Sequence, residues 1–151
     1  MNSKEIISDL LQIEVIFVIG TEEELSNYFN TQVKVEKLGK DPKKYIKDTI
    51  NSKLKSTGYA TKGKITFNTE TGYRTFFIVM NTNFESLMLL NKSSYLRKIK
   101  SIFYHECRHV VDNIIEYRRL SYSDLELTAL LQSWVNTEFE ETLTKWIDSQ
   151  N

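Results

Sequence analysis

Residues 99–114 run Ile99-Lys100-Ser101-Ile102-Phe103-Tyr104-His105-Glu106-Cys107-Arg108-His109-Val110-Val111-Asp112-Asn113-Ile114. Apolar side chains recur here at three- and four-residue spacing, which predicts an amphipathic helix with Ile99, Ile102, Phe103, Val110 and Ile114 on its core side. His105 and His109 are the only histidines in the chain. Four residues apart on a helix, two side chains lie one above the other on one face. Two imidazoles so placed can grip a single Zn²⁺, with Glu106 beside them. Cys107 projects about 200° round the helix from His105, so it reads as a small packing residue, neither ligand nor nucleophile. Arg108 is expected at the surface.

Outward from this stretch, the helix is expected over residues 95–118, capped by Ser93 or Ser94. A break follows at Arg119 to Tyr122. Ser123-Asp124-Leu125-Glu126 then opens a helix to about Val135, with Leu130, Leu131 and Trp134 in the core. A last helix is expected from Thr137 to Ile147, its apolar side made by Phe139, Leu143, Trp146 and Ile147.

Upstream, Ser3 is read as the cap of a short helix over residues 4–11, and the β-branched run Ile13 to Ile19 as a strand. Thr21-Glu22-Glu23-Glu24 is a capping box opening a helix to about Phe29. Gln32 to Lys37 suits an edge strand, and Asp41-Pro42 starts a helix with Ile46, Ile50 and Leu54 on one stripe. Lys64 to Asn68 and Tyr73 to Asn81 flank Thr69-Glu70-Thr71-Gly72 as a β-hairpin. A short helical stretch from Asn83 or Ser86 ends at Leu90. Mixed α and β followed by helices alone predicts an α+β fold: a small sheet, within residues 1–92, packed on the long helix of a helical part, residues 93–151.

A length of 151 residues suits one domain with one core. Twenty basic and twenty acidic residues cancel, so no global field recommends nucleic acid or an acidic membrane surface as a partner. The apolar runs Val15 to Ile19 and Phe76 to Met80 are far shorter than the roughly 18 residues of a spanning helix. Glu5 and Asp9 interrupt what would be the apolar region of a signal peptide. One cysteine excludes an internal disulfide framework and fits a reducing compartment or a virus particle assembled in one. Charge is uneven along the chain: residues 31–66 hold ten lysines against Glu36, Asp41 and Asp48, and residues 121–151 hold six acids against Lys145. These are either two solvated faces or a basic face that meets an acidic one on a neighbouring subunit.

A catalytic zinc site takes three protein ligands and a water. His105 and His109 supply two. Glu126, 17 residues beyond His109, is the candidate for the third, because the break at 119–122 lets the next helix fold back antiparallel. Its other reading is specific: Ser123-x-x-Glu126 is itself a capping box, which would tie the carboxylate to a backbone N–H. Asp112 is a further candidate, as ligand or as acceptor for an imidazole N–H, and Asp124 competes for the second of those roles. Glu106 is the candidate general base; its alternative is an ion pair with Arg108 or Lys100. Donors for a developing oxyanion are Tyr117, Tyr122 or Arg108, and nothing in the spacing chooses among them.

The run His105-Glu106-Cys107-Arg108-His109-Val110-Val111-Asp112, followed by Glu126-Leu127-Thr128-Ala129-Leu130-Leu131, resembles small zincin-like metallopeptidases of bacteriophages and prophages. The resemblance covers about residues 95–135. It implies a gluzincin-type ligand set of His105, His109 and Glu126, with Glu106 as base. It also implies a zincin core, a small twisted sheet over the motif helix with an edge strand along the cleft. Two departures stand out: such proteins often carry Ala where Cys107 stands, and Gly in the break where Arg119-Leu120 stand.

Two functions follow as expectations. The first is zinc-dependent hydrolysis of peptide bonds in a peptide or protein substrate, which would add as a strand to the sheet edge, with Tyr73 to Asn81 as the candidate edge. The second is a structural virion component, a tail, ring or adaptor subunit, in which the zincin fold keeps a vestigial or structural metal site and the partners are neighbouring phage subunits or further copies of the chain. Either places the protein in the cytoplasm of a bacterial host or in a virion.

Overall fold

A computed structural model describes residues 2–31, 58–60, 72–81 and 91–149. The elements are β1 (Asn2–Ser8), β2 (Ile13–Gly20), α1 (Glu22–Thr31), β3 (Gly58–Ala60), β4 (Arg74–Asn81), α2 (Lys92–Arg118), α3 (Asp124–Ser133), a π-helical turn (Trp134–Phe139) and α4 (Glu140–Ser149). The fold is α+β. The described strands form one mixed sheet in the order β1-β2-β4-β3. β2 pairs antiparallel with β1 and parallel with β4, in a register that sets Ile13 beside Arg74 and Phe17 beside Ile78.

β2 is buried along its whole length. A strand apolar at every position, without alternation, is one covered on both faces. Val15, Phe17 and Ile19 face the helical layer together with Phe76, Ile78 and Met80, and join Phe103, Val110, Ile114, Leu131 and Phe139 in one core. Phe103 of α2 stacks on Phe139 of the π-helical turn, with ring centroids 3.9 Å apart and planes 3° from parallel. Phe17 meets both edge-on, at 5.1 and 5.7 Å. Three aromatic rings thus lock the sheet, the motif helix and the C-terminal helix to one another.

The N-terminal segment corrects an expectation. Residues 2–8 form an edge strand, not the first part of a helix capped by Ser3. The spacing of Ile6, Ile7, Leu10 and Leu11 suits a helix face, but pairing with β2 satisfies the backbone groups that face it and buries Ile6 and Ser8 on alternate positions. Ile7 is left 57% exposed, the signature of a period of two. A tight turn with Gln12 at φ 53° returns the chain to β2. The strand at 13–19 and the Thr21 capping box form as read; Thr21 N–H donates to Glu24 Oε1 and Glu24 N–H to Thr21 Oγ1. The expected elements at 32–37, 41–54, 64–68 and 83–90 lie outside the described residues.

β4 occupies the strand expected at 73–81, but it is no edge: β2 takes one side throughout, and β3 takes the other at Ile78–Met80. α2 is capped by Asn91, whose side chain accepts from Ser94 N–H, rather than by Ser93 or Ser94. Its C-terminus closes as a Schellman motif. Arg119 sits at φ 54°, its N–H donating to Glu116 O, and Leu120 N–H donates to Ile115 O at 3.0 Å. A left-handed position favours Gly, so Arg119 makes this turn at a steric cost. The helices expected at 123–135 and 137–147 run on without a break through the π-helical turn.

Two stability measurements check this account. Phe103→Ala should lower the free energy of unfolding in urea by about 3–5 kcal/mol, the cost of a large aromatic cavity. Arg119→Gly should raise it by about 1 kcal/mol, by relieving the left-handed strain of a residue with a Cβ.

Candidate metal centre

Cys107 shows which way the motif turn faces. It is fully buried with Phe103, Val110, Val111 and Ile114, and these define the core side of α2. At 100° per residue, His105 and His109 must then point about 150° away from the core, toward solvent. Both are exposed. Their Nε2 atoms share a hydrogen bond at 2.9 Å, the donor being set by the tautomer, with the rings nearly perpendicular at 88°. Two nitrogens bound tetrahedrally to zinc at about 2.0–2.1 Å would stand about 3.3 Å apart. The observed pair is therefore within about 0.4 Å of chelating geometry, a small rotation for exposed side chains. Two of the donors fit a shared ion.

Asp112, Asp124 and Glu126 are engaged elsewhere. Arg108 Nε meets Asp112 Oδ1 at 3.1 Å, and Arg108 Nη2 meets Asp124 Oδ1 at 3.6 Å. Arg108 thereby bridges the motif turn to the first turn of α3, and Asp112 and Asp124 serve it rather than the imidazoles. Glu126 closes the capping box: its Oε2 accepts from Ser123 N–H at 3.2 Å, and its own N–H donates to Ser123 Oγ at 3.2 Å. Among the described residues, no three His, Cys, Asp or Glu side chains stand together as a metal-holding group. The structure thus brings His105 and His109 together and holds Glu126 in the helix cap.

Glu106 is half-buried and makes neither of the ion pairs proposed for it: Arg108 is taken by the two aspartates, and Lys100 pairs with Glu140 at 3.0 Å. Its charge is felt by its neighbour. Burial, and secondarily the Glu106 carboxylate, push the Cys107 thiol well above its ordinary pKa. Of the oxyanion candidates, Tyr117 is committed to Arg74, whose Nη2 donates to its hydroxyl at 2.7 Å and whose guanidinium lies 4.3 Å from its ring centre. Tyr122 packs against the core. Arg118, which the sequence reading passed over, donates to the carbonyls of Leu11 and Gln12 and so ties the end of α2 to the β1–β2 turn. No local pattern announces that contact, because its partners lie more than a hundred residues away.

The acidic C-terminal region is neutralised within the chain. Glu138 pairs with Lys4, Glu140 with Lys100, Asp148 with Lys92, Glu141 with Lys145 and Asp124 with Arg108. The linear charge excess at 121–151 is therefore no free acidic face. No helix among the described residues is long and apolar enough to cross a membrane. No family model, no curated protein and no solved structure matches the chain.

Because the Cys107 thiolate is disfavoured by burial, the thiol should be silent toward an aromatic disulfide reagent at neutral pH in the folded protein, and should react in full once urea unfolds it. Fast labelling of the native protein would contradict the packing of α2 described above.

Proposed function

We propose that the protein is a zinc-dependent hydrolase of peptide bonds with a zincin-like arrangement: His105, His109 and Glu126 as ligands and Glu106 as general base. The observation that carries this reading is the 2.9 Å convergence of the two imidazole nitrogens on an exposed helix face. Support comes also from Glu106, which has no ion-pair or hydrogen-bond partner among the described residues and so is available for proton transfer. A long helix carrying the motif beneath a small mixed sheet is the architecture this arrangement needs.

Glu126 as third ligand is supported by the Arg108–Asp124 contact, which draws the first turn of α3 to the motif turn. Its capping bond is worth about 0.5–2 kcal/mol, small beside the roughly 10–16 kcal/mol of structural zinc sites, so a metal can win the carboxylate from the cap. When bound, zinc supplies Lewis acidity and lowers the pKa of a coordinated water to about 7. Glu106 takes a proton from the attacking water and passes it to the departing amine. An extended substrate would use an edge other than β4 at Ile78–Met80, where β2 and β3 already pair with it on both sides.

The structural-subunit reading, in which a phage assembly uses the fold and the metal is vestigial or structural, draws on one observation, the retention of Glu126 in its cap. Its argument from charge polarity is weakened by the pairing of the C-terminal acids within the chain.

Cleavage of an unfolded protein substrate with added zinc, followed by chelation, separates the two. Wild type should cut and lose activity in chelator. Glu106→Gln should keep its zinc and lose at least about a hundredfold in turnover. His109→Ala should lose zinc as well. If wild type binds zinc yet cuts nothing that Glu106→Gln does not, the hydrolase reading fails and the scaffold reading stands.

A further inference from the structure

The imidazole pair sits in a longer exposed strip of α2. Lys98, Ser101, His105, His109, Asp112 and Glu116 are all exposed, at spacings of three and four residues. With His105 as zero, His109 lies about 40° round the helix, and Lys98 and Glu116 both lie about 20° round, midway between the imidazoles. Lys98 and Glu116 are each nine residues from Cys107, the centre of the motif. Neither side chain has an ion-pair partner among the described residues. Asp112 is already neutralised by Arg108, and Ser101 is small and uncharged.

We propose that this strip binds a second copy of the chain through a shared zinc ion, with His105 and His109 of each copy making a four-imidazole site. A two-fold axis through the motif runs the two α2 helices antiparallel. It then sets each Lys98 opposite the other copy's Glu116, about 14 Å of helix on either side of the metal. The strip is thus self-complementary in charge, a property an isologous interface requires and a random exposed strip has no reason to show. Exposure of both imidazoles and the lack of a third clustered donor among the described residues leave each copy with half of a tetrahedral site. A site with four protein ligands is closed and has no position for water, whereas a catalytic site keeps one open. The dimer is therefore a silent form, and separation of the copies frees the histidines for the one-chain site. This inference rests on the reading of His105 and His109 as metal ligands.

Sedimentation equilibrium and metal analysis, with zinc or with chelator, test it. The wild-type chain should be monomeric in chelator and dimeric with one zinc per two chains when zinc is supplied. His105→Ala and His109→Ala should stay monomeric. Lys98→Glu should weaken the zinc-dependent dimer about tenfold at low salt, and the double variant Lys98→Glu with Glu116→Lys should restore it to within about threefold. One zinc per chain on a monomer overturns the shared site and leaves the one-chain metal site standing. Absence of bound zinc overturns both. A dimer that persists in chelator, or that ignores Lys98→Glu, forms through another surface and overturns the proposal.

Discussion

The contact on which the structure depends is the stack of Phe103 on Phe139, closed edge-on by Phe17. Each ring comes from a different element: the central strand β2, the motif helix and the π-helical turn that leads into α4. Burying three aromatic rings against one another removes several hundred Å² of apolar surface from water, on the order of 150–250 Å² each, and the ring quadrupoles favour the edge-on contacts that Phe17 makes. The π-helical turn has a packing role here. Widening the helix over Trp134–Phe139 lets one continuous C-terminal helix lay Phe139 on the core and Glu138 beside Lys4 of the edge strand.

That anchor orients the chemistry. Once Phe103 is committed to the core, Cys107, Val110 and Ile114 follow on the same side, and His105 and His109 have only the solvent side left. The two imidazoles therefore converge outside the molecule, on a surface bounded by the Arg108 bridge to α3. Arg108 gathers Asp112 and Asp124, the two acids that could otherwise have approached the histidines, and Glu106 is left uncommitted.

Electrostatics elsewhere are local. Asp124, Glu138, Glu140 and Asp148 of the C-terminal region each meet a cation brought from another element, so the charge excess plain along the chain is largely matched within it. Arg118 and Arg119 show how arginine serves the end of α2: one donates to the carbonyls of the β1–β2 turn, the other takes the left-handed turn and ends the helix. Both uses position the break between the motif helix and α3, and hence the distance between the imidazoles and Glu126.

Whatever depends on neighbours within a turn or two was legible in the order of residues: the motif helix and its two faces, the burial of Cys107, the strand at 13–19, the capping boxes at Thr21 and Ser123, and the pairing of His105 with His109. Periodicity and capping act over three or four residues, so local order carries them. Three-dimensional packing decided that residues 2–8 pair as an edge strand: the hairpin with β2 across the turn at 9–12 overrides the helical spacing of Ile6, Ile7, Leu10 and Leu11. It likewise decided that β4 lies inside the sheet and that the C-terminal acids are matched in-chain. For Glu126, both readings were visible in Ser123-x-x-Glu126; the fold makes the local one, the capping bonds with Ser123, while a metal ligand needs α3 placed against the motif turn, which no spacing along the chain encodes.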